Sequence, residues 1–127
     1  MGAARKDTYV EHLRHPRNLG DIDDPDGESV VRDELCGDLL RLTLRIREHR
    51  VEKAKFRAFG CGATVAASSM MTEMLQGMTV EEALAFREDD VARALVGLPR
   101  HRLHSTGLAR RAALQAIQDY QRRRREK

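Results

Sequence analysis

The sequence predicts an α+β fold, a small antiparallel sheet with helices packed mainly on one face. Two observations carry this expectation. Between residues 39 and 58 apolar and charged side chains alternate with a period of two, whereas beyond residue 61 the apolar positions recur every three or four residues. The segments also run helix, strands, then helices, rather than alternating strand with helix as a parallel sheet requires. At 127 residues the chain reads as a single domain over 1–127, with room for one modest core.

Residues 7–15 read as a short helix with Tyr9, Val10 and Leu13 on one side, stopped by Pro16. The acidic run 21–28 does not fit a calcium loop. With Gly27 at the obligatory glycine, Ile22 falls where the first carboxylate belongs and Asp33 where a glutamate belongs, so the run is a polar loop. Val30 and Val31 begin one strand. In the next, Leu40, Leu42, Leu44 and Ile46 share one face, with Arg41, Thr43, Arg45 and Arg47 on the other. After a turn at 48–50, Ala54, Phe56 and Ala58 alternate with Lys53, Lys55 and Arg57. Two such strands so close together form a hairpin with one packed face and one basic, wet face.

Past Gly60-Cys61-Gly62, Ala66, Met70 and Met74 recur every four residues, with Ala67, Met71 and Leu75 beside them, in a helix ended by Gly77. Methionines at this spacing are core rather than soft metal ligands. Thr79 and Glu82 are spaced as a capping box for a short helix reaching Phe86, and 89–96 forms another, closed by Gly97. Pro99 breaks the chain. A long final helix then runs from Thr106, with Leu108, Ala112, Ala113, Ala116, Ile117 and Tyr120 on its buried stripe and Ser105 as its N-cap.

Composition narrows the function classes. Apolar residues make up 41%, charged residues 34%, and there are only five aromatics, which describes a globular domain with a lean core. No apolar run approaches the ~20 residues of a membrane span and no secretory h-region follows Met1. Two cysteines suit a reduced, cytoplasmic setting better than a disulfide framework. The net charge of +3 is concentrated in a basic C-terminal tail: residues 121–127 hold four Arg, one Lys and one Glu, leaving the other 120 residues at −1. Such a body, with few aromatics, is not a nucleic-acid platform.

Three short segments offer groups that a metal or a nucleophilic reaction uses. In Cys36-Gly37-Asp38 the thiol and carboxylate are two apart, so an extended chain turns both to one side. In Gly60-Cys61-Gly62 the thiol precedes a helix, whose free N–H groups favour a thiolate. Leu103-His104-Ser105 opens the last helix. Each has a plainer reading, since reduced cysteines are often small buried hydrophobes and lone histidines often have no special role. A different class of reading makes Cys61 the nucleophile of a thiol enzyme with His104 as its base.

In order, HPRNLG (15–20), LCGDLLRLTLRI (35–46), FRAFGCGATVAASSMMTEMLQG (56–77), LPRHRLHS (98–105) and ALQAIQDY (113–120) resemble the U-type iron–sulfur cluster scaffolds, the IscU/NifU N-terminal family. The likeness runs from Tyr9 to Arg122. It implies a three-stranded α+β fold and a non-catalytic site where a labile [2Fe–2S] cluster is built, with a cysteine desulfurase and cluster-accepting apo-proteins as partners. It implies Cys36, Asp38, Cys61 and His104 as the cluster- and metal-binding residues. The chain departs from the family twice. Ser105 stands where the sulfur-accepting third cysteine follows the histidine, and a serine hydroxyl cannot form an S–S bond. Leu98-Pro99-Arg100-His101-Arg102 replaces the Leu-Pro-Pro-Val-Lys motif, which speaks against an Hsp70-type chaperone. The four remaining donors still make an S₂NO set for one tetrahedral zinc, the ion expected in isolated protein, or for iron. The alternative within the family is a degenerate paralogue that holds zinc and regulates the desulfurase.

Overall fold

The computed structural model describes residues 8–126; the first seven residues, with the start of the expected first helix and any leader, and Lys127 lie outside them. The chain runs α1 (Thr8–Arg14), β1 (Gly27–Arg32), β2 (Leu39–Arg47), β3 (Arg50–Phe59), α2 (Gly62–Leu75), α3 (Val80–Leu84), α4 (Glu88–Ala94), a 3₁₀ turn (Arg100–Arg102) and α5 (His104–Arg125). The strands form one antiparallel sheet in the order β1-β2-β3. No helix among the described residues is long and apolar enough to cross a membrane.

The alternation in β2 does what its period requires. Leu40, Leu42 and Leu44 are fully buried with Val51, Ala54 and Phe56 of β3, and α2 and α5 close over them with Met71, Leu75, Ala112, Ala116 and Ile117. Met70 and Met74 pack at the margin of this core. The β2–β3 turn is held by two residues of positive φ, Glu48 at 53° and His49 at 66°. That is the conformation a two-residue hairpin of right-handed twist demands.

The other face of the sheet is not simply wet. The loop preceding β1 bonds to the edge of β3 through Gly20 N–H to the Phe56 carbonyl, 2.9 Å, and crosses toward β1. It lays Asp21 against Arg41 and Arg57, at 3.0 and 2.6 Å, and Asp26 against Arg45 at 3.4 Å. The Ile22 amide donates to the Thr43 hydroxyl, which is buried. Thus the acidic run is a lid on the basic face, and Gly27 already belongs to β1, three residues before the expected Val30.

Three further expectations are corrected. Helix α1 buries His12, while Leu13 is 38% exposed, because His12 meets hydrogen-bond partners instead of hydrocarbon. Its Nδ1 lies 2.6 Å from Ser69 Oγ of α2. Ser105 is not a cap. Helix α5 begins at His104 with Leu103 before it, and Ser105 is inside the first turn, fully buried, its hydroxyl 3.3 Å from that of Thr64. The short helices are also displaced from expectation: α3 ends at Leu84, not Phe86, although its Thr79–Glu82 capping box is present, and α4 covers Glu88–Ala94.

Candidate functional site

Strand register brings the three segments to one end of the sheet. Arg32 pairs with Leu39, and Leu39 with Phe59, so the β1–β2 loop and the β3–α2 junction lie side by side. The first turn of α5 closes the group. Cys36 Sγ lies 3.3 Å from His104 Nε2 across 68 residues of sequence. The Cys61 thiol donates to Asp38 Oδ2 at 3.3 Å. Cys36, Asp38, Cys61 and His104 are therefore all gathered here, Cys36 exposed and Cys61 half-buried, with no disulfide between them.

Asp38 is the fixed point. Only 4% exposed, it accepts at Oδ2 from the Thr64 hydroxyl at 2.5 Å and from the Cys61 amide at 3.5 Å, so it satisfies the start of α2 while facing both its thiol and the site. Burial alone would raise its pKa; the hydrogen bonds from Thr64 and Cys61 outweigh burial and hold it below the usual carboxylate value. Gly60 makes this seat possible. At φ +151° it adopts a backbone that L side chains avoid, and a Cβ there would come within 2.2 Å of Asp38 Oδ1. The flanking glycines of Cys61 thus serve the carboxylate as much as the thiol. At Cys36, exposed as it is, local desolvation and then the charges of Asp33 and Asp38 push the thiol pKa up. A cation placed among these groups would reverse that balance.

Sequence reasoning missed Asp33. Its Oδ2 lies 3.7 Å from His104 Nε2, and its Oδ1 accepts from the Leu35 and Cys36 amides at 2.9 and 3.4 Å. Two groups of donors result, Asp38–Cys61–His104 and Asp33–Cys36–His104, each with all ligand atoms within 4.8 Å of one another. The spacing Asp-x-x-Cys-x-Asp over 33–38 is the signal that the sequence offers for it.

The spacing of Cys36 and His104 suits two ligands of one metal ion. Metal–sulfur and metal–nitrogen bonds of about 2.3 and 2.0 Å at tetrahedral angles set sulfur and nitrogen about 3.5 Å apart, near the observed 3.3 Å. The thiol-enzyme pairing finds less support: His104 contacts Cys36, whereas the hydrogen-bond partners of Cys61 Sγ among the described residues are Asp38 and Thr64.

Similar proteins point the same way. The "Iron-sulfur cluster assembly scaffold protein IscU 1" of Archaeoglobus fulgidus is 46% identical over 114 residues, covering 90% of this chain and 74% of that protein. The scaffold protein IscU of Azotobacter vinelandii is 39% identical over 121 residues, covering 92% and 94%. The N-terminal NifU-like protein of Brucella abortus shares the fold, with a TM-score of 0.73 at 22% identity over 92% of this chain and 94% of that one. The NifU-like N-terminal domain family matches residues 4–127, and the chain belongs to it.

Proposed function

We propose that this chain is a non-catalytic iron–sulfur cluster assembly scaffold, one domain over residues 1–127, which receives iron and sulfide and hands the cluster to acceptor apo-proteins. One observation carries the reading: two free thiols, a carboxylate and an imidazole converge from three segments at one accessible edge, in a chain 46% identical to a named scaffold. Cys36, Asp38, Cys61 and His104 are the ligands of the [2Fe–2S] cargo, and of zinc when iron is absent. Thiolates bind iron strongly, imidazole moderately, and the hard carboxylate of Asp38 exchanges most readily. A weak contact suits a cluster that must leave. Free thiols at Cys36 and Cys61 fit a reducing, cytoplasmic setting.

The sulfur comes from a cysteine desulfurase. Ser105 has neither the chemistry nor the exposure to accept it, whereas Cys36 is exposed. The Cys36 thiolate attacks the outer sulfur of the desulfurase persulfide, forming an S–S bond on Cys36 and releasing the desulfurase thiolate. A zinc-holding regulator is the second reading, and cluster content separates the two. Protein prepared without oxygen in the presence of iron and a desulfurase should contain iron and acid-labile sulfide in equal amounts. Cys61→Ala should lose both. A parent that holds zinc but never sulfide removes the scaffold reading, and a Cys61→Ala variant that keeps its cluster removes the ligand assignment.

A further inference from the structure

Asp33 has a carboxylate whose two oxygens do different work. Oδ1 accepts from the Leu35 and Cys36 amides and so shapes the turn that presents Cys36. A second bond closes that turn, Gly37 N–H to the Asp33 carbonyl at 2.7 Å. Oδ2 accepts no hydrogen bond among the described residues and lies 3.7 Å from His104 Nε2, too long for a hydrogen bond yet suited to two ligands of one ion. Asp38 differs, because its Oδ2 already serves Thr64 and Cys61. The Asp33 oxygen that faces His104 thus accepts no hydrogen bond, whereas the Asp38 oxygen that faces Cys61 is already engaged.

We propose that Asp33, Cys36 and His104 form an outer divalent-cation site, the one an incoming iron(II) or zinc ion meets first. The inference rests on the functional reading above and adds Asp33 to its ligands. Charge supports it: carboxylate, thiolate and neutral imidazole together balance a doubly positive ion, and so does the inner trio Asp38–Cys61–His104. Access supports it as well. A surface cleft of about 330 Å³ is lined by Asp33, His104 and Glu88, and Cys36 is exposed, whereas Asp38 is buried. The two arginines at that cleft are turned to other acceptors, Arg110 to the Phe86 carbonyl and Arg111 to that of Arg32. His104 belongs to both trios and so links them. An ion that keeps His104 while exchanging Asp33 and Cys36 for Asp38 and Cys61 moves inward without release. Each incoming thiol gives its proton to water as it binds the ion.

The test uses cobalt(II) as the probe, on the full chain, with the inner trio disabled. Cys61→Ala should keep a weakened cobalt site with a sulfur-to-cobalt charge-transfer band from Cys36. D33N in that background should weaken cobalt binding by a further tenfold or more, about the scale seen when groups around a metal are altered. The asparagine keeps an acceptor for the Leu35 and Cys36 amides, so the melting temperature of the metal-free protein should not change. Equal cobalt affinity with and without D33N overturns the proposal, as does absence of the charge-transfer band in Cys61→Ala. A weakening matched by an equal loss in the uncharged D33N protein's metal-free stability overturns it too. Failure of the scaffold reading would appear elsewhere, as a parent without sulfide that still binds cobalt through Asp33.

Discussion

Arg41, Arg45 and Arg57 on the outer face of the sheet each find carboxylates or carbonyls from the loop before β1. At the loop end of the same sheet, two carboxylates, two thiols and an imidazole lie together with no Lys or Arg ion-paired to them among the described residues. The first region is a set of charges that neutralise one another and hold a loop in place. The second gathers electron-pair donors and leaves the cation out. Both are polar clusters within one small domain, so polarity alone does not mark a site. What marks it is donors that converge without a compensating partner. Substitutions that unseat the second region should therefore change metal binding, while those in the first should change only stability.

The largest effect is expected at Gly60. Alanine there needs a backbone at φ +151° and puts a Cβ 2.2 Å from Asp38 Oδ1, so either the turn or the carboxylate must shift. Gly60→Ala should cost about 2 kcal/mol or more in urea unfolding. Zinc affinity should fall with it, measured by chelator competition. Gly37 also has positive φ, +77°, but open space where a Cβ would go. Gly37→Ala should cost about 1 kcal/mol of backbone strain and less affinity. If the two variants lose zinc affinity equally, steric seating of Asp38 is not what orders the site.

How much of this was legible in the sequence differs between the two regions. The hairpin was readable because Leu40, Leu42 and Leu44 repeat a local period that burial converts directly into geometry. The gathering of Cys36, Cys61 and His104 was not readable from spacing, since 68 residues separate Cys36 from its contact at His104 and only the packing of α5 closes that distance. Their identity as a set came from resemblance. The acidic run reads correctly as a polar loop, but its role as a lid was not legible, because its partners lie on strands about 20 residues away. Burial of His12 and Ser105 was out of reach of local pattern. Ser105 reads as a cap by type and His12 falls outside the apolar stripe, while specific partners, Thr64 and Ser69, allow each to be buried.

His12 sharpens the comparison through pH, since it holds α1 against α2, whose first residue follows Cys61. Burial, and then the nearby Arg17, lower its pKa below the ordinary 6.5, against the opposing pull of Glu73 and Glu11. Above pH 6.5 the imidazole is neutral whether the chain is folded or not, and its contribution is fully present. Below 6.5 the unfolded chain takes the proton first, so stability falls until the pH passes the lower folded value. Urea unfolding from pH 7.5 to 5 should show this slope, and His12→Asn, which keeps a donor near Ser69, should flatten it. An unchanged slope would assign the acid sensitivity to other groups.

A smaller effect follows from the paired region. The hydrogen bond from Arg57, with a second from Arg41, lowers the Asp21 pKa. Its contribution is present above the unfolded carboxylate value near 3.8 and is lost as pH falls through the folded one. These ion pairs are about one-third exposed or more, so solvent screening leaves Asp21→Asn a cost of no more than about 1 kcal/mol. Salt at 0.5 M should reduce the difference further, and zinc affinity should equal that of the parent. A zinc-affinity loss in Asp21→Asn would mean that the lid and the site are coupled through the sheet.

The smallest effect belongs to the basic end of α5, where four arginines divide in two. Arg122 pairs with Asp119, and Arg123 reaches Asp119 and Glu28 at 3.0 and 2.6 Å, tying the helix to the start of β1. Arg124 and Arg125 form no ion pair among the described residues. Half of the apparent basic patch is thus already neutralised by the fold, which leaves too little charge for tight binding to a polyanion. Replacing both Arg124 and Arg125 by Gln should leave urea stability within about 0.5 kcal/mol of the parent, as surface changes away from packed features do. Zinc affinity should be unchanged. Fluorescence anisotropy with a labelled single-stranded oligonucleotide at 50 and 200 mM salt should give weak binding in the parent, with a shallow salt dependence that the double variant makes shallower still. A steep dependence in the parent would give the end of α5 a binding role of its own, separate from the site at the other end of the helix.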